Sequence, residues 1–173
     1  FNLGDKNKLT AGFEYRKDES EGTRLKKAST SLSGPTAHDA FDKAAINYMA
    51  AYVQDEFRPD DKWLIIPSVR FDHSDQFSNK LTSNLAATYN AADDVRVKAV
   101  VGQGYKTPTV NDLYIFWEMY AQNPGGPGQF YVGNPDLKPE KSLSYELSVE
   151  KDWGDRSTVH LGVFRSEVKD LIS

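Results

Sequence analysis

The 173-residue chain contains no cysteine, which removes disulfides, thiolate metal sites and cysteine nucleophiles together. It holds no run of about 18 apolar residues and no basic start leading into a short apolar stretch, so neither a transmembrane helix nor a signal peptide is expected within it. Positive charge is not in excess. Lys and Arg number 21 against 25 Asp and Glu, the net charge is −4, and the basic residues are scattered among acids, so nucleic acid is not expected as a partner. The three histidines, His38, His73 and His160, are far apart and give no ligand pair on one strand, so no resident metal is expected. Catalytic signatures are missing as well: there is no Gly-x-Ser-x-Gly elbow and no His-Glu-x-x-His, and Gly102-Gln103-Gly104 lacks the third glycine and following helix of a nucleotide site. Neither an enzyme nor a cofactor is expected. What the chain does have is aromatic content, 3 Trp, 9 Tyr and 9 Phe, set among short polar turns.

Most segments alternate in polarity every second residue, which is the period of a strand with one oily and one wet face. Leu9, Ala11, Phe13 and Tyr15 oppose Thr10, Gly12, Glu14 and Arg16. From Asn47 to Arg58, Met49, Ala51, Val53 and Phe57 oppose Tyr48, Tyr52, Gln54 and Glu56. The same pattern recurs over Trp63 to Asp72, Leu81 to Asn90, Val95 to Gly102 and Ser142 to Glu150, and a last run starts at Ser157. That gives seven strands, each near the roughly 9 to 11 residues that a tilted strand needs to cross a membrane.

The connections alternate in length. Tight turns fall at Gly4 to Asn7, Pro59 to Asp61, Ala91 to Asp94 and Trp153 to Asp155, whereas the opposite strand ends carry stretches from about 17 to 46, 73 to 80 and 110 to 140. Short turns at one end and long loops at the other are the layout of an outer-membrane barrel, with Trp63, Trp153 and Phe57 in its periplasmic aromatic girdle. A soluble antiparallel β-sandwich produces the same alternation, and so would a small self-contained barrel acting as a binding module without a transport role. The two long loops on one side and the Glu, Arg, Lys and Asn on the wet faces speak for a water-filled or plugged lumen.

Two proline boxes occur in the second half. Gly104-Tyr105-Lys106-Thr107-Pro108-Thr109 is followed by Asn111-Asp112-Leu113-Tyr114, and later by Gly133-Asn134-Pro135-Asp136-Leu137-Lys138-Pro139-Glu140. Together with Tyr52 to Phe57, Val69 to His73, Phe164-Arg165 and Asp170-Leu171-Ile172, they make the chain resemble the TonB-dependent outer-membrane receptors. The likeness covers residues 46 to 173 well and the first 45 weakly. It implies an all-β fold, an antiparallel transmembrane β-barrel, of which this chain supplies about seven strands of a probable 22. The family's plug domain and the TonB box ahead of it are not in these residues, so the chain is expected to be part of a longer receptor.

The resemblance further implies an outer-membrane receptor for energy-coupled uptake of an iron chelate, with a ferric siderophore ahead of haem or cobalamin. Some haem-transporting relatives carry a histidine between the two boxes, and none lies between Pro108 and Asn134 here. The implied partners are the chelate, outer-membrane lipid, and the TonB-ExbB-ExbD complex through parts of the receptor outside this chain. Tyr105, Lys106, Pro108, Asn134, Pro135, Leu137, Pro139 and Glu140 read first as structural devices: Pro108 has no N–H to offer the ladder, and Pro139 holds Lys138 extended just before a strand resumes. The loop between the boxes is the better ligand candidate. Tyr114, Phe116, Trp117, Tyr120, Phe130 and Tyr131 offer rings that stack on a planar chelate, or else pack on one another to hold the loop together. Arg24 and Lys26, in the first long loop, add charge that attracts an anionic chelate, although a solvated loop of mixed charge explains them equally.

Overall fold

The computed structural model describes residues 1–22, 25, 42–119, 129–154 and 157–172; at 42, 117–119 and 129–130 it describes the backbone alone. Ten strands and one short helix follow in the order β1 (Asn2–Leu3), β2 (Asn7–Gly22), β3 (Asp42–Phe57), β4 (Trp63–Ser74), β5 (Lys80–Ala92), β6 (Val95–Lys106), α1 (Val110–Tyr114), β7 (Phe116–Met119), β8 (Gln129–Val132), β9 (Glu140–Trp153) and β10 (Ser157–Lys169). Eight of them form one antiparallel sheet in the order β1-β2-β3-β4-β5-β6-β9-β10, and β7 pairs with β8 apart from it. Neighbours in the sheet are neighbours in the chain except where β9 follows β6, because α1 and the β7–β8 hairpin fill that connection.

Register decides which residues share a face. Phe13 lies opposite Ala51, Ala51 opposite Phe71, Phe71 opposite Leu81; further along, Ala87 lies opposite Ala99, Ala99 opposite Leu147 and Leu147 opposite Val163. The oily sides of all seven long strands therefore coincide. That face is exposed at Phe13, Phe71, Leu81, Leu147, Leu161 and Val163. Among the described residues no second layer covers it, which sets the β-sandwich reading aside. A soluble protein rarely leaves so wide an apolar face bare, whereas hydrocarbon is its natural solvent. The opposite face carries charge and hydroxyls, and a sheet polar on one side and greasy on the other is a piece of barrel wall.

The ends of the strands differ as the loop lengths require. At one end Gly4 and Gly154 turn the chain with φ of +69° and +58°, values that suit glycine, and Asp60 Oδ1 accepts from the backbone N–H groups of Lys62 and Trp63 at 2.8 and 3.0 Å. Trp63 and its cross-strand partner Tyr89 lie 4.6 Å apart between ring centroids at this end, the start of an aromatic girdle.

Three expectations change. β2 and β3 pair for 16 residues, as far as Gly22 opposite Asp42, so the first long connection is shorter than 17 to 46. Hydrophobic alternation stops at Tyr15, but Lys43 forms ion pairs with Glu19 and Glu21 across the strands, and the ladder continues on charge. The stretch from 110 to 140 contains α1, β7 and β8. Finally, the two-residue β1 joins the seven long strands to make eight in the sheet.

Candidate functional site at the outer end of the inner wall

The apolar cluster of the described residues sits at the long-loop end. Ala44 and Ile46 on the polar face of β3 meet Val110 and Leu113 of α1, with Tyr48, Phe77, Tyr114 and Leu137 packed around them. The two proline boxes build this cap. After β6 ends at Lys106, Pro108 is fully buried and Thr109 caps α1, its hydroxyl accepting from Asp112 N at 3.2 Å while Asp112 Oδ2 accepts from Thr109 N at 2.8 Å. The second box docks on the helix: Asn134 N donates to Asp112 O and Gly133 N to Ile115 O. Asn134 Oδ1 accepts from Asp136 N, closing the turn that delivers Leu137 to the cluster. Gly133 is needed there, since a Cβ would come within 2.6 Å of the Leu113 backbone. Glu140 opens β9, lies opposite Lys106 and forms an ion pair with it at 3.4 Å.

Below the cap, the inner wall holds a polar recess of about 690 Å³. Arg70 is its hub, donating to Asp72 at 2.9 Å on its own strand and to Glu14 at 3.0 Å on β2. The Arg16 guanidinium stands 4.3 Å from the centre of the Tyr48 ring, and the Thr107 hydroxyl donates to the Tyr48 hydroxyl at 3.3 Å. Tyr105 and Lys106 line the same recess. The cations are matched by carboxylates: Arg70 by Glu14 and Asp72, Arg16 by Asp18, Lys106 by Glu140. Such a wall offers hydrogen bonds and a stacking surface, and little net charge. Lower down, Arg96 and Lys98 converge on Glu150, with Arg96 also reaching Asp152. At the projecting end of β2, Lys17 and then Lys43 hold the Glu19 carboxyl down to a pKa of about 2.

The loop candidates separate. Tyr114 packs beside the cap cluster and donates through its hydroxyl to Gln76 Oε1 at 3.1 Å. Phe116 is 7% exposed, whereas Tyr131 is 51% exposed. The hairpin places Trp117 opposite Tyr131 and Phe130 opposite Glu118. Tyr120, Arg24 and Lys26 lie outside the described residues. Of the box residues, Tyr105, Lys106, Pro108, Asn134, Leu137 and Glu140 all contribute to the cap or the recess beneath it. At the outer end of β4, Asp72 binds Arg70, His73 contacts Asn79 and Asp75 binds Asn47. Sequence reasoning missed Arg16, Tyr48 and Arg70, whose only signal is that all three fall on wet faces.

Comparison with known proteins gives a consistent likeness. The family described as TonB dependent receptor-like, beta-barrel, matches residues 1–173. A vitamin B12 transporter from Photobacterium profundum is 31% identical over all of this chain, and a ferric enterobactin receptor from Pseudomonas aeruginosa is 25% identical over 98% of it. In each case the chain spans only 24% of the relative's length. Among solved structures, the siderophore receptor PirA from Acinetobacter baumannii superposes with a TM-score of 0.78 at 24% identity, covering 99% of this chain and 26% of the receptor. The ferric enterobactin receptor PfeA gives 0.79 at 22% identity over 98% of this chain and 25% of its own.

Proposed function

Because the chain belongs to the TonB-dependent receptor family and forms part of its outer-membrane β-barrel, we propose that it is a wall segment of a longer receptor that takes up a ferric siderophore. The observation that carries the reading is the two-faced sheet: a lipid-facing apolar side, and an inner side whose outer end combines a structured cap with a hydrophilic recess of about 690 Å³. In this reading the aromatic hairpin, Trp117 and Tyr131 foremost, makes the first stacking contact. Arg24 and Lys26 supply the attraction for an anionic chelate, since the cations of the recess are already paired. The recess then receives the cargo as it moves inward, its hydroxyls and guanidinium groups exchanging for water around the chelate. The energy for that movement comes from the TonB-ExbB-ExbD complex acting on parts of the receptor outside this chain. Relatives named as ferric enterobactin receptors and solved siderophore receptors support this cargo class.

A second reading, cobalamin, is favoured by the 31% identity to a vitamin B12 transporter and by the charge-balanced recess, which suits a large, hydrogen-bonding, nearly neutral cargo. The deciding experiment is a titration of the full-length receptor in detergent with a ferric catecholate, a ferric hydroxamate, haem and cyanocobalamin, followed by tryptophan fluorescence. Saturable quenching by a ferric siderophore, lost in Trp117→Ala/Tyr120→Ala, is the expected outcome. Saturation by cyanocobalamin alone would replace the first reading with the second.

A further inference from the structure

The Asp170-Leu171-Ile172 motif lies at the long-loop end, where β10 stops. The β9–β10 ladder ends with Lys169 opposite Lys141. One more step in the same register would set Asp170 directly opposite Glu140, two like charges in one cross-strand pair, which is destabilising. The chain leaves the ladder at Asp170, whose φ of +58° is the one positive value at a non-glycine position among the described residues. A short polar side chain tolerates this left-handed conformation at modest cost. The turn carries the Asp170 carboxylate to 3.7 Å from the Lys141 ammonium. The place beside Glu140 falls to a backbone donor instead, as Ile172 N donates to Glu140 Oε1 at 2.9 Å.

Glu140 closes the second proline box and opens β9. Its side chain is only 12% exposed, and the oxygen that accepts from Ile172 also takes the Lys106 ammonium at 3.4 Å. By alternation with Ser148 and Glu150 it belongs to the inner face, and Lys106 opposite it lines the polar recess. The bend at Asp170 therefore brings the chain that leaves β10 across to the inner side of β9 instead of extending the wall upward. Three residues before Glu140, Leu137 is packed in the cap cluster, and Pro139 stiffens the link between them. One carboxylate thus joins the cap, the end of β6 and the segment that follows β10.

We propose that Glu140 is a positioning residue for cargo binding: it staples the connection after β10 to the cap, so that two outer connections stand as one body at the edge of the recess before cargo arrives. A carboxylate that accepts a backbone N–H in a shielded place makes a stronger bond than a neutral acceptor does. Fixing a loop in advance removes an ordering cost from binding. Glu140 acts on the cargo only through the loop it holds. The staple stands on this geometry, and its effect on affinity rests on the uptake reading given above.

The test is made on the full-length receptor in detergent. Hydrogen exchange read by mass spectrometry over 168–172 reports the staple itself, and the tryptophan titration with a ferric catecholate, a ferric hydroxamate, haem and cyanocobalamin reports its effect. Glu140→Ala is expected to speed exchange over 168–172 by roughly tenfold or more while leaving that of α1 unchanged. It should also weaken, by about tenfold, whichever probe saturates the wild type. Glu140→Gln keeps an acceptor oxygen and should restore both readouts. Ile172→Pro removes the donor and should reproduce Glu140→Ala, and the double variant should be no worse than either single one. All variants should retain the heat-modifiable electrophoretic shift of a folded barrel. Unchanged exchange in Glu140→Ala, or faster exchange with unchanged affinity, would overturn the proposal. A wild type that binds none of the four probes would sink the uptake reading and the claim on affinity with it, while the exchange results would still decide the staple.

Discussion

Leu147 and Glu146 are adjacent in β9 and point to opposite sides of the wall, so one charge placed at each position in turn tests the whole face assignment. On the outer face Leu147 stands six residues from Lys141 and six from Trp153. At roughly 3.4 Å per residue and a tilt near 40°, that puts it about 15 Å along the membrane normal from either end, close to the bilayer midplane. Its cross-strand neighbours, Ala99 and Val163, are apolar and offer no partner for a cation. Leu147→Arg should therefore cost about 2 to 4 kcal/mol, the penalty for a basic residue at that depth on the lipid face. Glu146→Arg, one residue away on the wet side, should change stability by about 0.5 kcal/mol or less, as an exposed substitution does. The assay is equilibrium urea unfolding of the full-length receptor in phosphatidylcholine vesicles, read by tryptophan fluorescence, with the midpoint shift converted through a common slope. Equal penalties at the two positions, or a larger one at Glu146, would refute the assignment of lipid and lumen to these faces.

Other consequences concern the cap and the rim. Leu113 is almost fully buried against Ile46 and Val110, so Leu113→Ala should destabilise the cap by about 2 to 5 kcal/mol and speed hydrogen exchange across α1 and the 133–137 turn. Thr109→Ala removes the capping hydroxyl and should cost about 1 kcal/mol, visible in the same exchange experiment as a smaller and more local effect. Tyr52 lies over Gly12, where an added Cβ would come within 2.3 Å of the ring, so Gly12→Val should displace that ring and change the fluorescence of a tryptophan introduced as Tyr52→Trp. Glu19 has its folded pKa lowered from 4.5 to about 2 by Lys17 and Lys43, so the stability its ion pairs contribute is fully present above pH 4.5 and is lost as the pH falls through about 2. Replacing both lysines with Met should return the carboxyl titration, followed by NMR with selective labelling, toward 4.5; an unmoved titration would contradict the ion-pair geometry.

Much of the wall was legible in the sequence because a strand with one face in hydrocarbon and the other in water must alternate. Phe13, Phe71, Leu81 and Leu147 announced their side of the sheet before any coordinates, and the glycine- and aspartate-rich turns announced which end of the barrel is short. The two proline boxes located the interrupted connection between β6 and β9. Alternation ends where both faces meet water, and there the sequence fell silent: the upper reaches of β2 and β3 are held by Glu19, Glu21 and Lys43 across the ladder, a pattern that looks like any polar loop.

What the sequence by itself determined is thus the strand content, the two faces and which end carries the short turns, since each follows from the local period and from turn chemistry; alternation alone fits a sandwich as well as a barrel, and the barrel was implied by the resemblance carried by the boxes. The tertiary structure decided what the boxes do. Leu113 and Leu137 are 24 positions apart and become neighbours of Ile46 only when α1 and the following turn fold back over β3, so their burial is a property of the assembled sheet. It also decided the recess, because Arg16, Tyr48 and Arg70 come from three strands and converge through register. Local pattern reports which solvent a side chain prefers; only the paired sheet decides which side chains from distant parts of the chain share that solvent.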